Sequence, residues 1–210
     1  MRKTLLLILF FCFGAQIWAQ FPKAIFPGDY PDPSILRDGK DYYMTHSPFY
    51  YAPGFLIWHS TDLMHWEPVC RALPEYEGSA MAPDLLKYQG RYYIYYPTST
   101  GENYVIYADN IRGPWSKPVK LDVRGIDPGH VVGEDGKRYL FTNNGWITTL
   151  SNDGLKVTGK SRKVYDGWEY PVNWVTEGKD MYLESPKLLY KDGYYYMMSA
   201  EGGTAGPATS

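Results

Sequence analysis

One pattern occurs four times along the chain and limits the folds that it can adopt. Each copy combines an acidic residue beside a proline or a small residue, a short apolar segment, a turn that ends in glycine, and an aromatic segment. The copies are DPSILRDGKDYYMTHS from Asp32, PDLLKYQGRYYIYYPTS with Asp84, DPGHVVGEDGKRYLFTNN from Asp127, and ESPKLLYKDGYYYMMSAEGG from Glu184. Asp-Gly between two strand-like segments is a strong signal for a β-hairpin. Each copy therefore predicts two antiparallel strands.

The spacing of the copies predicts a β-propeller. The four acids lie 52, 43 and 57 residues apart, and the intervals contain further strand-like segments such as 55–69 and 103–119. A repeat of this length with about four strands is typical of one propeller blade. Aromatic residues make up 17% of the chain, and glycine and proline are frequent, which favours an all-β fold with many turns. A β-sandwich with chance similarity between its strands is the alternative.

Propeller geometry predicts where the acids lie. The innermost strand of each blade starts near the central axis, on one face of the molecule. Carboxylates at Asp32, Asp127 and Glu184 should therefore meet at the mouth of the axial channel. Pro31 and Pro33 fix φ on both sides of Asp32 and would hold that carboxylate in place. For any one acid taken alone, a solvated turn residue or a strand-start cap is the alternative.

The segments that follow the second strand of each copy should return to the same face and form the rim of this pocket. They are residues 46–51, 98–103, 143–146 and 200–204. Flat rings stack on sugars and polar groups bond sugar hydroxyls, so these segments suit sugar recognition. Packing within the loops is the alternative for each aromatic side chain. The predicted substrate-binding residues on this rim are His46, Phe49, Asn143, Trp146 and Glu201.

Several short motifs resemble glycoside hydrolase family 43, the five-bladed β-propeller arabinofuranosidases, xylosidases and arabinanases. The motifs are YPDPS at 30–34, APD at 82–84, IDPG at 126–129, ESP at 184–186 and AEGGT at 200–204. The resemblance runs from about Phe26 to the last residue and implies hydrolysis with inversion of anomeric configuration. It implies that Asp32 is the general base and Glu184 the general acid. It also implies that Asp127 orients Glu184 and tunes its pKa.

The chemistry of inversion agrees with these implied roles. One carboxylate activates water, and a protonated carboxylic acid across the sugar ring protonates the leaving group, at a separation of roughly 6.5–9.5 Å. Strand starts in separate blades can leave such a gap. An ionised Asp127 close to Glu184 would raise the pKa of Glu184 by like-charge repulsion.

Two departures from the family pattern affect the substrate and the fold. The family often has a tryptophan before APD, where this chain has Met81. Met81 and Asp84 complete the predicted substrate-binding set, although the resemblance gives Asp84 mainly a structural role at the channel. The chain stops just after the second strand of the fourth copy, so we expect about the first three and a half of five blades. We expect poor solubility and little activity for this chain alone, because unclosed terminal blades expose edge strands and apolar faces.

The N-terminus predicts export. Arg2 and Lys3 precede an apolar run over residues 5–13 that is too short to span a bilayer, and Ala19 suits cleavage. We expect a signal peptide over residues 1–19, a partial propeller catalytic domain over residues 20–210, and a periplasmic or extracellular location. A buried N-terminal helix is the alternative. Cleavage would leave Cys70 as the only cysteine, which excludes an intrachain disulfide.

Composition and motifs favour a neutral partner. The formal net charge is −2 and there is no basic patch, so nucleic acid and polybasic membrane contacts are not expected. Zinc-hydrolase and nucleotide-binding motifs do not occur in the sequence. The implied reaction requires no cofactor, and calcium is expected only in the complete propeller, with ligands that this sequence does not identify.

The sequence therefore predicts a glycosidase that acts on oligosaccharides or on side chains of plant cell-wall polysaccharides. An α-L-arabinofuranosidase and a β-xylosidase are the two activities that we consider. A non-catalytic glycan-binding propeller, in which the acids only bond hydroxyls, is the alternative from a different class. An inactive fragment is a further alternative, and the oligomeric state stays open.

Overall fold

A computed structural model of the protein describes residues 24–76, 78–167 and 182–202. Within these ranges the strands form three four-stranded antiparallel sheets and one two-stranded hairpin. Each sheet is a meander in which every strand pairs with the next one along the chain. The four units follow the four sequence copies, and we name them blades 1 to 4 in chain order.

The strands begin and end as follows. Blade 1 contains β1 (Ser34–Asp38), β2 (Asp41–Thr45), β3 (Gly54–Ser60) and β4 (Glu67–Leu73). Blade 2 contains β5 (Asp84–Tyr88), β6 (Arg91–Pro97), β7 (Asn103–Ala108) and β8 (Val119–Leu121). Blade 3 contains β9 (Gly129–Val132), β10 (Arg138–Thr142), a 3-10 turn (Asn143–Gly145), β11 (Trp146–Leu150) and β12 (Arg162–Lys163). The described part of blade 4 contains β13 (Tyr182–Lys191) and β14 (Tyr194–Gly202).

The predicted glycine turns close the inner hairpins. In blade 2, Gln89 and Gly90 have φ angles of 48° and 84°, and in blade 4, Asp192 and Gly193 have φ angles of 54° and 83°. Two successive positive φ angles are typical of the type I′ turn, whose twist matches that of the flanking strands. Glycine adopts such angles without a steric penalty, so its place as the second turn residue follows from the backbone.

The core lies between neighbouring blades. Alternate residues of β6 point to opposite faces of blade 2, as the period of a strand requires. Ile94 and Tyr96 pack toward blade 1 with Phe55, and all three are fully buried. Tyr95 packs in the second cluster with Leu140 of blade 3. Because blade 2 is covered on both faces, β6 is an almost continuous run of buried aromatic and aliphatic residues.

The same backbone feature, a residue with positive φ followed by proline, lies just before β1, β5 and β9 and occurs again inside β13. The residues are Asp32, Ala82, Asp127 and Ser185, with φ angles of 54°, 23°, 56° and 50°. Such angles cost roughly 1–3 kcal/mol for a residue with a side chain and occur most often at functional sites. Four kinks of the same sign, each followed by proline, therefore mark the structurally equivalent positions of the four blades.

This equivalence corrects the alignment that the sequence repeat suggested. The repeat placed Asp84 and Glu184 in register with Asp32, and that register is wrong. Asp84 lies two residues after the kink of its blade and begins β5, and Glu184 lies one residue before the kink of its blade. The pattern of acid and proline identified the right region but could not resolve a shift of one or two residues.

In blades 1 to 3 the first residue of the inner strand lies against the next blade. Ser34 Oγ accepts a hydrogen bond from the Leu85 N–H of blade 2 at 2.9 Å. Asp84 Oδ2 accepts one from the His130 N–H of blade 3 at 2.8 Å. Gly129 holds this position in blade 3, where a Cβ atom would lie only 1.9 Å from the carbonyl oxygen of Pro186. These contacts set the spacing of the blades around the channel.

The predicted signal peptide and the expected absence of membrane insertion concern residues that the structure describes only in part or not at all. The predicted signal peptide, residues 1–19, lies outside the described residues, and its cleavage stays a prediction. In the part of the chain that the structure describes, no helix has the length and apolar content that a membrane span needs.

Candidate active site

Asp32 is held at the start of blade 1 by a buried serine. The Ser47 hydroxyl donates to Asp32 Oδ2 at 2.5 Å, and the Ala82 N–H of blade 2 donates to Ser47 Oγ at 2.5 Å. The Ser47 N–H donates to the carbonyl oxygen of Pro31 at 2.9 Å. Ser47 is only 3% exposed. One hydroxyl thus orients the carboxylate and couples it to the neighbouring blade.

Asp127 lies at the kink of blade 3 and has an acidic environment. The Ser185 N–H of blade 4 donates to Asp127 Oδ2 at 3.3 Å. Burial, which is the largest cause, and the negative charges of Glu184 and Asp32 together raise the pKa of Asp127 from 3.8 to about 6, against the opposing effects of the Ser185 N–H and the Lys187 charge. Carboxyl groups from blades 1 and 4 therefore lie within electrostatic range of Asp127 in blade 3.

Glu184 lies on β13 where the strand is irregular. The register between β13 and β14 shifts between Glu184 and Lys187, and Ser185 has its positive φ inside this shift. A bulge of this kind redirects the side chains beside it. The Ser199 hydroxyl donates to the backbone oxygen of Glu184 at 2.7 Å, which ties the irregular segment to β14.

The structure therefore brings Asp32, Asp127 and Glu184 together from chain segments far apart in sequence. Asp127 interacts electrostatically with both other acids, so the other two carboxyl groups lie near Asp127. The sequence assigned the raised pKa to Glu184, and the structure shows a raised pKa for Asp127. The catalytic roles of the three acids stay predictions that this arrangement permits.

His46 and Phe49 lie in the segment that follows β2, and their role in substrate binding stays a prediction. Together with Tyr30 and Trp58 they line a cavity of about 370 Å³ that Pro31 and Ser47 extend toward Asp32. His46 Nδ1 donates to the carbonyl oxygen of Ser47 at 3.2 Å, and burial lowers the pKa of the imidazole. The neutral ring and the phenyl group of Phe49 present the flat surfaces that sugars prefer.

Asn143 and Trp146 lie beside the kink of blade 3. Asn143 Oδ1 accepts a hydrogen bond from the Ile126 N–H at 3.0 Å, and the Asn143 N–H donates to the Ile126 oxygen at 2.8 Å. Asn143 thereby fixes the residue before Asp127. The Arg124 guanidinium lies 4.1 Å from the ring centroid of Trp146, which is a cation–π contact that occupies one face of that ring.

The remaining predicted binding residues have contacts within the protein. Glu201 Oε1 accepts a hydrogen bond from the Tyr165 hydroxyl at 3.0 Å. The Met81 N–H donates to the Pro97 oxygen at 2.9 Å, and the side chain is half-buried. Asp84 is bonded through both carboxylate oxygens, to Lys187 Nζ and to the His130 N–H. Substrate contact by these three residues stays a prediction, and the rim residues 203–204 lie outside the described residues.

Comparison with known proteins identifies the family. Residues 21–210 match the model of glycosyl hydrolases family 43. The chain belongs to glycosyl hydrolases family 43. A xylosidase/arabinosidase of Butyrivibrio fibrisolvens is 34% identical over 207 residues, which cover 86% of this chain and 38% of the relative. A xylan 1,3-beta-xylosidase of Vibrio sp is 34% identical over 212 residues and is covered to the same extents, 86% and 38%.

A solved structure supports the same assignment. The family 43 protein BlXynB (K247S mutant) of Bacillus licheniformis superposes with a TM-score of 0.75 and 33% identity, over 90% of this chain and 40% of that chain. The predicted all-β fold, a partial five-bladed propeller, is confirmed. The chain spans about 38% of the length of the curated relatives that it matches.

Two residues of this family 43 site were not singled out from the sequence. Ser47 falls in the predicted rim segment, but nothing in its local sequence showed that it would bond Asp32. Lys187 follows the ESP motif, and only the assembled blades reveal its contacts. Among the described residues, no group of three or more His, Cys, Asp or Glu side chains is placed to hold a metal ion.

Proposed function

We propose that this family 43 chain carries the catalytic acids of an exported, inverting glycoside hydrolase. Its substrates would be arabinose or xylose units on oligosaccharides or on plant cell-wall polysaccharides. The names of the two relatives, a xylosidase/arabinosidase and a xylan 1,3-beta-xylosidase, support the sugar class. The N-terminal pattern of residues 1–19 supports export. The observation that carries the proposal is that Asp32, Asp127 and Glu184 come from three blades and that Asp127 interacts electrostatically with both other acids, beside the Ser185 N–H that bonds it.

In the proposed reaction, Asp32 takes a proton from a water molecule whose oxygen attacks the anomeric carbon. Glu184 donates its proton to the glycosidic oxygen as the bond from that oxygen to the anomeric carbon breaks. The attack comes from the face opposite the leaving group, so the product has the inverted configuration. Ser47 holds Asp32 in place. Asp127 and Glu184 repel each other when both are ionised, so one proton is favoured between the two groups.

The test uses the longest natural protein that contains this chain. Aryl α-L-arabinofuranoside, aryl β-xyloside and aryl β-galactoside are supplied separately, and proton NMR follows the anomeric configuration of the first product. We expect hydrolysis of a pentoside with inversion, and a loss of at least ~100-fold in kcat for Asp32→Ala. Asp38→Asn is the control, because Asp38 lies at the far end of β1, the strand that follows Asp32, and pairs with Lys87.

Three outcomes would contradict the proposal in different ways. Retention of configuration would exclude the inverting mechanism. Hydrolysis of hexosides alone would exclude the pentose substrate. Binding of glycans without hydrolysis of any glycoside would favour the non-catalytic glycan-binding propeller.

A further inference from the structure

Lys187 is a cation that joins three blades at the channel. Its Nζ atom donates to Asp84 Oδ1 at 3.1 Å and to the carbonyl oxygen of Pro83 at 3.3 Å, both in blade 2. It also donates to the carbonyl oxygen of Pro128, at the start of blade 3, at 3.1 Å. An ammonium group has three donors, and these contacts use all of them.

The acceptors of Lys187 are next to the residues that carry the acids. Pro128 directly follows Asp127 in the chain, and Lys187 itself lies three residues after Glu184. The ammonium group is therefore bonded to the residue that follows Asp127, and its own strand carries Glu184.

The contact in blade 2 extends this link to the third acid. Pro83 directly follows Ala82, whose N–H is bonded to the hydroxyl of Ser47, and that hydroxyl is bonded to Asp32. One side chain of blade 4 thus reaches the supports of all three carboxyl groups.

Asp84 gives Lys187 a rigid anchor. Its second oxygen accepts the His130 N–H at 2.8 Å, and its side chain is 12% exposed, so the carboxylate has little freedom to turn. The His130 ring stacks on Tyr95 at 5.9 Å between centroids and accepts a hydrogen bond from Arg138 Nε at 2.9 Å. Arg138 is fully buried. The anchor is thereby connected to the core between blades 2 and 3.

We propose that Lys187 is a positioning residue for the glycosidase reaction, which holds the starts of blades 2, 3 and 4 in place and places its positive charge beside Asp127. The proposal rests on the proposed function. In this proposal Asp84 anchors the lysine. Asp84 begins β5 just as Ser34 begins β1, and Ser34 also contacts the next blade. Substrate contact by Asp84 is not needed for this role.

The charged groups that face Asp127 determine what removal of Lys187 would do. Glu184 on β13 and Asp32 before β1 are negative and raise the pKa of Asp127, whereas Lys187 on β13 is positive and lowers it. Loss of the lysine charge removes the one positive group among these partners. The pKa of Asp127 should then rise above about 6.

The experiment measures the Asp127 carboxyl carbon by NMR as a function of pH, in the natural full-length protein and in variants. Lys187→Met should raise the Asp127 midpoint by roughly 0.5 unit or more, because methionine keeps the length but not the charge. Lys187→Arg should keep the midpoint close to that of the unsubstituted protein. Lys87→Met is the matched control, because Lys87 pairs with Asp38 away from the channel, and it should leave the midpoint unchanged.

Kinetics of the same variants separate positioning from simple stability. Lys187→Met and Lys187→Arg should each lower kcat by about 10-fold or more and change KM by less than about 2-fold, since both lose the three-point contact that sets the geometry. Lys87→Met should change neither constant. If Lys87→Met and Lys187→Met lose the same amount of kcat and the same amount of unfolding free energy, Lys187 has only a structural role.

The titration does not depend on turnover, so its outcome is separate from that of the proposed function. If no variant and no parent protein hydrolyses a glycoside, the proposed function fails while the midpoint still tests Lys187. If Lys187→Met does not fold, Asp84→Asn takes its place, because it releases the lysine without removing it and should also shift the midpoint. An unchanged Asp127 midpoint in whichever of these two variants folds would overturn the proposal.

Discussion

At the scale of single residues, the site depends on small groups that hold carboxyl groups at fixed positions. Ser47 spans the gap between Asp32 and the backbone of blade 2, whereas Asp127 accepts the Ser185 N–H of blade 4 directly. Both contacts join one blade to the next at a kinked residue. Asp32 and Asp127 are therefore each tied to a neighbouring blade, and their separation depends on how the blades pack.

Asp127 provides a prediction about pH. Its pKa is raised from 3.8 to about 6, so between these values the folded protein binds a proton that the unfolded chain releases. The stability from this group is present below about pH 4 and is lost as pH rises through 6, by up to about 3 kcal/mol. Asp127→Asn removes the ionisable group. We therefore expect the variant to gain unfolding free energy relative to the parent protein at pH 7.5 but not at pH 4.

Urea unfolding of the two proteins at both pH values measures this difference, with Asp122→Asn as the control because Asp122 is exposed. The asparagine variant should also lose most glycosidase activity, because the charge beside Glu184 is gone. A difference in unfolding free energy that is the same at pH 4 and pH 7.5 would contradict the raised pKa.

At the scale of elements, the kinked residue and the first strand residue act together. In blades 1 and 2, the residue two positions after the kink begins the inner strand, and its side chain bonds the backbone of the next blade. In blade 3 that residue is Gly129, and the backbone of Pro186 comes closer than a side chain would allow. The absence of a side chain at Gly129 permits the approach of blade 4 and hence the Asp127–Ser185 bond.

A methyl group at Gly129 should separate these two blades. The Cβ of Gly129→Ala would lie 1.9 Å from the Pro186 oxygen, and Gly129 is not among the residues with positive φ, so the conflict is steric rather than conformational. We expect a loss of about 1–3 kcal/mol in unfolding free energy and faster amide exchange over residues 182–202.

Gly159→Ala is the matched control for this substitution. Its Cβ would lie 3.5 Å from Thr149, an ordinary contact, and its backbone also has no positive φ. Its unfolding free energy should stay within about 0.5 kcal/mol of the parent value. Similar losses in the two alanine variants would mean that glycine flexibility, rather than the close approach of blade 4, matters at Gly129.

At the scale of the whole molecule, the described part of blade 4 is the least covered region. Blade 2 has a neighbour on each face, but the hairpin of β13 and β14 has large apolar side chains in contact with solvent. The exposed ones are Leu189, Tyr190, Tyr194, Tyr195, Tyr196, Met197 and Met198. Clustered exposure of this kind favours association with other chains.

We expect residues 20–210, produced alone, to associate or precipitate and to hydrolyse glycosides poorly. Light scattering coupled to size exclusion measures the mass, and the aryl pentosides measure activity beside a natural protein of the length of the curated relatives. Lys substitutions at Leu189 and Tyr194 should increase the monomer fraction. A monomeric, soluble product of residues 20–210 with ordinary glycosidase rates would contradict the expectation.

The sequence predicted the hairpins and the blades because these depend on local chemistry. Turn residues such as Asp192-Gly193 and alternating aromatic residues act within a few positions of each other. The family motifs also located Asp32, Asp127 and Glu184. The alignment of the four sequence copies was wrong for Asp84. Asp32 precedes its proline and Asp84 follows its proline, so the two acids occupy positions that differ by two residues relative to the kink. Ser47 and Lys187 were missed because their partners lie in other blades.

The chain by itself determined the repeat, the strand order within each blade and the supply of acids near the strand starts, since all of these follow from neighbouring residues. Only the tertiary structure decided which acids share the channel, which oxygen atoms Lys187 bonds, and that Asp84 joins blades 2 and 3. Those relations depend on the distance between blades. That distance results from packing and from contacts between residues up to 104 positions apart, so no local pattern encodes it.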